Sequence, residues 1–179
     1  MPAQIVLLRG INLGSRNRIA MPHLREALEE AGFEHVRTYV QSGNVVLSSK
    51  SKPTETARKV ERLIRDRFGL DIAVVVRTRA ELARVVEKNP LGDLAGDPKR
   101  YQVSFLAEKL DRGTEQELAA AAVDEEQIVF GGRELYAWHP AGVARSKLWA
   151  ALAGKKLGVD ATARNWTTVT KLLEMADEI

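Results

Sequence analysis

Cysteine is absent from the 179 residues of this sequence, and histidine is scarce. Without cysteine there are no disulfide bonds, no thiolate-bound zinc and no cysteine nucleophile. The three histidines, His23, His35 and His139, match no metal-ligand spacing. We therefore expect neither a metal nor a cofactor.

Long apolar runs are also missing. No stretch approaches the roughly 20 apolar residues that a membrane helix needs. The first residues, Met1-Pro2-Ala3-Gln4, lack the basic region and apolar run of a signal peptide. We expect a soluble, cytoplasmic protein with no membrane partner. Its length is enough to bury a core as one domain or as two small ones.

No catalytic group can be recognised in the sequence. Nucleophilic catalysis needs a nucleophile, a base and an orienting acid, and no histidine lies beside a serine in an elbow motif. The acidic clusters, Glu29-Glu30 and Asp124-Glu125-Glu126, are typical of a helix end and a turn. The catalytic residues, if there are any, stay unknown, and so does whether the protein is an enzyme.

The most distinctive segment is a basic loop after the first apolar run. Residues 9–18 read Arg-Gly-Ile-Asn-Leu-Gly-Ser-Arg-Asn-Arg and contain three arginines, two asparagines and no acid. Arginine forks, amides and backbone N–H groups together suit an anion. The spacing of Gly10, Gly14 and Ser15 misses the P-loop pattern by one residue and is not the dinucleotide fingerprint, so neither nucleotide fold is indicated. These glycines also fit ordinary turns.

A second basic segment lies near the C-terminus. Residues 141–171 contain six basic residues and one acid, a net charge of +5, whereas residues 9–18 carry +3 and the whole chain only +3. The remainder is therefore acidic. Clustered charge of one sign indicates an anionic partner, or else a solvated surface. We expect Arg9 or Arg16 to lie within about a Debye length, ~8–10 Å, of Arg145, Lys147 or Arg164.

Hydrophobic periodicity predicts an α+β protein. Strands are predicted at residues 4–9, 35–41, 45–49 and 70–77, with helices at 21–31 and 54–68, giving the order βαββαβ of a ferredoxin-like unit. The second half gives a helix at 78–87, strands at 101–106, 127–130 and 134–138, and helices at 111–122, 146–153 and 165–177. No fourth strand is evident there. We predict two ferredoxin-like subdomains, residues 1–90 and residues 91–179, the second incomplete and closed by C-terminal helices.

The βαββαβ order also predicts where the basic loop lies. A crossover helix links the first and second strands, so both run in the same direction and both end at the same edge of the sheet. The basic loop follows the first strand, and Gln41-Ser42-Gly43-Asn44 follows the second. Both should meet at that edge, beside the start of the first helix, where anions are favoured.

Four motifs in order resemble the domain-of-unknown-function 1697 family. They are Leu7-Leu8-Arg9-Gly10-Ile11-Asn12, the stretch from Arg37 to Val46 that includes Gln41-Ser42-Gly43-Asn44, then Ser146-Lys147-Leu148, and the stretch from Ala163 to Leu172 that includes Arg164-Asn165-Trp166. The resemblance spans essentially the whole chain. It implies a compact α+β bacterial protein with ferredoxin-like subdomains, and it implies no established activity.

Three hypotheses about function remain open. In the first, the protein binds a phosphate-bearing ligand, either nucleic acid or a nucleotide-like molecule. In the second, it is an enzyme on a small anionic substrate, with an unidentified general base. In the third, the motifs are structural only. The candidate ligand-binding residues are Arg9, Asn12, Arg16, Arg18, Gln41, Ser42, Asn44, Arg145, Lys147, Arg164, Asn165 and Lys171. Trp166 lies at helical spacing from Val169 and Leu173, which favours packing over base stacking.

Overall fold

The computed structural model describes residues 1–153 and 157–179. Lys155 and Lys156 of the predicted second basic segment lie outside these described residues. The chain divides into two compact units, one of Met1–Arg84 with Lys171–Ile179 and the other of Val85–Thr170. None of the helices in the described ranges is long and apolar enough to cross a membrane.

The first unit is a four-stranded antiparallel sheet with helices. Its elements in order are β1 (Ala3–Leu8), α1 (Met21–Glu30), β2 (Glu34–Tyr39), β3 (Asn44–Ser48), α2 (Pro53–Phe68) and β4 (Val74–Thr78). The strand order is β2-β3-β1-β4, with β1 antiparallel to both of its neighbours. This βαββαβ unit confirms the predicted fold class for the first half.

One face of this sheet packs against both helices. Alternate residues of the strands, including Val6, Leu8 and Val45, are buried in one cluster with Leu24 of α1 and Val60 of α2. The period of two along the strands and of about 3.6 along the helices is what brings these side chains together. The core therefore fixes the register of β1, and with it the point where the basic loop leaves the sheet.

The second unit repeats the plan with a complete set of strands. Its elements in order are α3 (Arg79–Lys88), β5 (Tyr101–Leu106), α4 (Arg112–Ala121), β6 (Gln127–Phe130), β7 (Glu134–Trp138), α5 (Lys147–Ala153), β8 (Ala161–Asn165) and α6 (Trp166–Asp177). The first residues of α3 and the last residues of α6 belong to the first unit. The strand order is β6-β7-β5-β8. The prediction of an incomplete second unit is wrong, because β8 supplies the fourth strand. Its sequence, Ala-Thr-Ala-Arg-Asn, lacks the run of large β-branched residues that marks a strand.

The fourth strands of the two units end in the same way. Arg77 of β4 pairs with Ile5 of β1, and Arg164 of β8 pairs with Val103 of β5. Each arginine is buried, at 1% and 8% exposure. The residue that follows each arginine caps a helix: the Glu81 N–H donates to Thr78 Oγ1 at 3.1 Å, and the Thr168 N–H donates to Asn165 Oδ1 at 2.9 Å. Thr78 and Asn165 are thus the N-caps of the two helices.

Candidate functional site

The basic loop and the turn of residues 41–44 meet at one end of the first sheet. The Leu8 N–H donates to Gly43 O at 2.9 Å, and Asn12 Nδ2 donates to Gln41 O at 2.6 Å. The convergence that the strand order predicts is thus confirmed. It follows from the parallel directions of β1 and β2, each of which is antiparallel to β3.

Asn12 joins the two segments through its side chain. Besides the Gln41 carbonyl, its Nδ2 donates to Ile19 O at 3.0 Å, and its Oδ1 accepts from the Ile19 N–H at 2.9 Å. Its backbone has a φ of +54°, a conformation that asparagine adopts more readily than most residues. Both amide hydrogens are therefore used to shape the loop.

Asn44 performs a similar task inside the turn. It is fully buried, and its Nδ2 donates to Tyr39 O at 3.2 Å and to Ser42 Oγ at 3.0 Å. Together Asn12 and Asn44 bind the carbonyl groups of the residues on either side of Val40. Val40 itself has a φ of +50° and is 52% exposed. A β-branched residue in this region is strained, so the two asparagines hold an unfavourable conformation in place.

Glycine is required in the middle of the same turn. Gly43 has a φ of +85°, and a Cβ there would lie 2.7 Å from the Cβ of Leu8. The backbone of the turn therefore comes too close to β1 for any side chain. This explains the Ser-Gly-Asn sequence in structural terms.

The surface left for a ligand consists of the outer groups of the basic loop and the turn. Arg16 is exposed, and within the described residues its side chain makes no hydrogen bond or ion pair. Arg18 is exposed and donates through Nη1 to Gly14 O at 2.9 Å. Gln41 and Ser42 are exposed, and Arg9 is half-buried. The site is basic and polar, and its framework is held by the asparagines.

The basic side chains of the second basic segment differ in exposure: some are exposed to solvent and one is buried. Arg145 and Lys147 are exposed. Arg164 is buried in β8, where its Nη1 donates to Thr162 Oγ1 at 2.6 Å and to Ala163 O at 2.8 Å, and burial lowers its pKa to about 10. Asn165 caps α6, and Lys171 lies 3.0 Å from the carboxylate of Glu174. That the two basic segments share one face stays a prediction.

A polar cluster in the second unit is not evident from the sequence. His139 is fully buried, and its Nδ1 lies 2.9 Å from Glu126 Oε2 and 3.2 Å from Ser146 Oγ. Ser146 Oγ also donates to Glu126 Oε2 at 2.5 Å and accepts from the Trp149 N–H at 3.0 Å. The three residues come from the turns before β6, after β7 and before α5.

This cluster has the residue types of a nucleophilic triad without its geometry. In a triad the nucleophile and the acid bind opposite nitrogens of the imidazole. Here Ser146 and Glu126 share Nδ1, whereas Nε2 is buried without a hydrogen-bond partner. Burial would raise the pKa of the Glu126 carboxyl, but hydrogen bonds from Ser146, His139 and the Val123 N–H outweigh it, so that the pKa is lowered. The hydrogen bond from the Trp149 N–H to Ser146 Oγ links this cluster to the first turn of α5.

No group of three or more His, Asp or Glu side chains within residues 1–153 and 157–179 is placed to hold a metal ion. Trp166 stacks on Tyr101, with the ring centroids 4.8 Å apart and the planes inclined by 20°. This contact confirms the packing role predicted for Trp166.

Comparison with known proteins supports the resemblance. Residues 1–136 match the family described as protein of unknown function DUF1697. The chain belongs to this family. The match includes the DUF1697 motifs Arg9-Gly10-Ile11-Asn12 and Gln41-Ser42-Gly43-Asn44, whereas Arg164-Asn165-Trp166 lies beyond it. No curated protein matches the sequence.

The fold is also similar to that of a solved structure. The conserved bacterial protein SP0830 from Streptococcus pneumoniae superposes with a TM-score of 0.81, at 22% sequence identity and over 98% of each chain. At this identity the likeness concerns the fold alone. The α+β architecture of this DUF1697 chain is therefore shared along its whole length.

Proposed function

We propose that this protein binds a phosphate-bearing anion at the end of the first sheet, between the basic loop and the turn of residues 41–44. One observation carries the proposal: the loop presents Arg16 and Arg18 outward without any acid in residues 9–18, and the amide of Asn12 fastens this loop to the turn. Arginine forks bind two phosphate oxygens at once, which a lysine does not.

Backbone donors add to the charge. The N–H groups of Gly14 and Ser15, at the tip of the loop, have no hydrogen-bond partner within the described residues. Exposed N–H groups next to arginine guanidinium groups are a common arrangement for phosphate oxygens. The side chains of Gln41 and Ser42 supply neutral donors and acceptors beside them. Asn12 and Asn44 shape the site, because their amide groups donate to oxygen atoms of the protein and are not available to a ligand.

Fluorescence anisotropy with a labelled DNA duplex tests the proposal, with inorganic phosphate and a nucleoside triphosphate as competitors. We expect Arg16→Gln to weaken binding about tenfold, since a hydrogen bond to a charged group contributes about 1.5–3 kcal/mol. Arg58→Gln, which removes the same charge from an exposed position on α2, is the matched control. Equal affinities of the two variants would show that the basic loop is not the binding site.

A further inference from the structure

The tip of the basic loop is a short two-stranded ribbon. The Asn12 N–H donates to Asn17 O at 2.9 Å, and the Arg16 N–H donates to Leu13 O at 3.0 Å. Leu13 and Arg16 form a β-bridge around the turn residues Gly14 and Ser15. Gly14 has a φ of +58°, as the first central residue of a type II′ turn requires. We call residues 12–17 the ribbon.

The base of the ribbon is anchored beside the core, and its tip is exposed to solvent. Ile11 and Ile19, which flank the ribbon, are each 2% exposed and belong to the core of the first unit. Asn17 Nδ2 donates to Gly10 O at 3.1 Å and ties the two sides together at the base. Residues 13–18 are all exposed. The ribbon is therefore a fixed projection.

The outer side chains of the ribbon combine a cation with an aliphatic group. Leu13 is 64% exposed, more than any other large hydrophobic residue in the part of the chain that the structure describes. It lies opposite the exposed Arg16 across the ribbon. Single exposed leucines are common on protein surfaces, but here the leucine lies beside a cation and adds an apolar contact that free phosphate cannot use. A ligand that matches both side chains has an apolar group beside its phosphates.

We infer that the ribbon enters the major groove of duplex DNA. This inference rests on the proposed function and names its ligand. The major groove is about 12 Å wide and about 8.5 Å deep, and it admits a two-stranded ribbon. Two strands lie about 5 Å apart, and three residues at about 3.3 Å each give the ribbon a reach of about 10 Å.

Thymine presents a methyl group in the major groove, and guanine presents two acceptors that an arginine fork can bind. Leu13 would contact the methyl group, and Arg16 would bind guanine or the adjoining phosphate. The deep, narrow major groove of an RNA duplex does not admit the ribbon. The minor groove of DNA admits strands where the duplex is bent or widened, but it presents neither the thymine methyl group nor the pair of guanine acceptors that would match Leu13 and Arg16. Single strands are bound by stacking on aromatic rings, and residues 9–18 contain no aromatic residue.

Anisotropy with four labelled probes tests the inference: a DNA duplex, the RNA duplex of the same sequence, its single DNA strand, and phosphatidylserine vesicles. We expect the DNA duplex to bind at least tenfold tighter than either nucleic acid alternative, and the vesicles not to bind. Leu13→Ser should weaken duplex binding about fivefold without changing its salt dependence. Arg16→Gln should reduce the slope of log K against log salt by about one.

The matched control for Leu13→Ser is Leu94→Ser, because Leu94 is 59% exposed and lies in the other unit. Equal binding of all nucleic acids, or equal effects of the two leucine variants, would overturn the groove inference and leave the phosphate site in place. Vesicle binding that is lost in Leu13→Ser would overturn it in favour of a membrane surface. If Arg16→Gln also matches Arg58→Gln, the proposed function itself fails.

Discussion

The side chain of Asn12 makes three hydrogen bonds at the candidate site, and Asn12→Asp tests its role directly. Aspartate has almost the same shape and keeps the Oδ1 acceptor for the Ile19 N–H. It places an oxygen where Nδ2 donates to the carbonyls of Ile19 and Gln41, at 3.0 and 2.6 Å. Aspartate also tolerates the positive φ of this position. The variant thus removes two hydrogen bonds and adds one negative charge, with almost no change of shape.

The expected cost follows from those two hydrogen bonds. Each contributes about 0.5–1.5 kcal/mol net, so their loss together with the repulsion between carboxylate and carbonyl oxygens lowers the free energy of unfolding by about 2–3 kcal/mol. In a protein of this size one kcal/mol shifts Tm by about 2–4 °C, so we expect Tm to fall by about 4–12 °C. Thermal unfolding followed by circular dichroism at pH 7 measures this shift.

Asn17→Asp is the matched control for this experiment. Asn17 lies in the same loop, also has a positive φ, and makes one side-chain hydrogen bond, from Nδ2 to Gly10 O. The same change of charge should therefore lower Tm by about half as much. If Asn17→Asp were as destabilising as Asn12→Asp, or if Asn12→Asp left Tm unchanged, the bond from Asn12 to the 41–44 turn would not be what shapes the site.

The sequence predicts the elements that have a clear hydrophobic period. The strands at residues 101–106, 127–130 and 134–138 occur where the alternation places them. Hydrophobic alternation does not reveal β8, because its buried residues are small or polar: Ala161 and Thr162 are buried, but they are not the large β-branched residues that mark a strand. Its pairing with β5 is a long-range contact, which a local pattern does not record.

The candidate site was predictable in its position and not in its chemistry. Chain order alone brings the basic loop to the turn of residues 41–44. The composition of a loop does not reveal whether an asparagine amide binds a ligand or a backbone carbonyl, because the same donors serve both. Asn12 and Asn44 bind carbonyls. The sequence predicts Arg164 to be part of an exposed basic segment, but Arg164 lies in β8 and is buried.

The cluster of Glu126, His139 and Ser146 lay beyond sequence reasoning for a different reason. His139 is separated from Glu126 by 13 residues, and no recognised motif has that spacing. The turns that carry the three residues converge because β6 and β7 form a hairpin and α5 begins beside it. The only local indication was Ser146 at the predicted start of a helix, where serine is a preferred cap.

Two further predictions concern strain and ionisation. Val40→Asn should raise the free energy of unfolding by about 1 kcal/mol, because asparagine adopts positive φ without the penalty of a β-branched residue, and Val40 is half exposed; a lower Tm than that of the wild type would contradict the assigned strain. Glu126→Gln tests the lowered pKa of Glu126. Because the folded-state pKa lies below the unfolded value, the carboxylate stabilises the fold above the unfolded pKa, and this contribution is lost as pH falls through the folded pKa. Urea unfolding at several pH values should therefore show the wild type more stable than Glu126→Gln at pH 7. The difference should shrink as the pH falls below about 4.5, the ordinary pKa of a glutamate, and through the lower folded-state pKa of Glu126, where the wild-type carboxylate takes up its proton. A difference that stays constant over that range would mean that the ionised carboxylate beside His139 contributes nothing to stability.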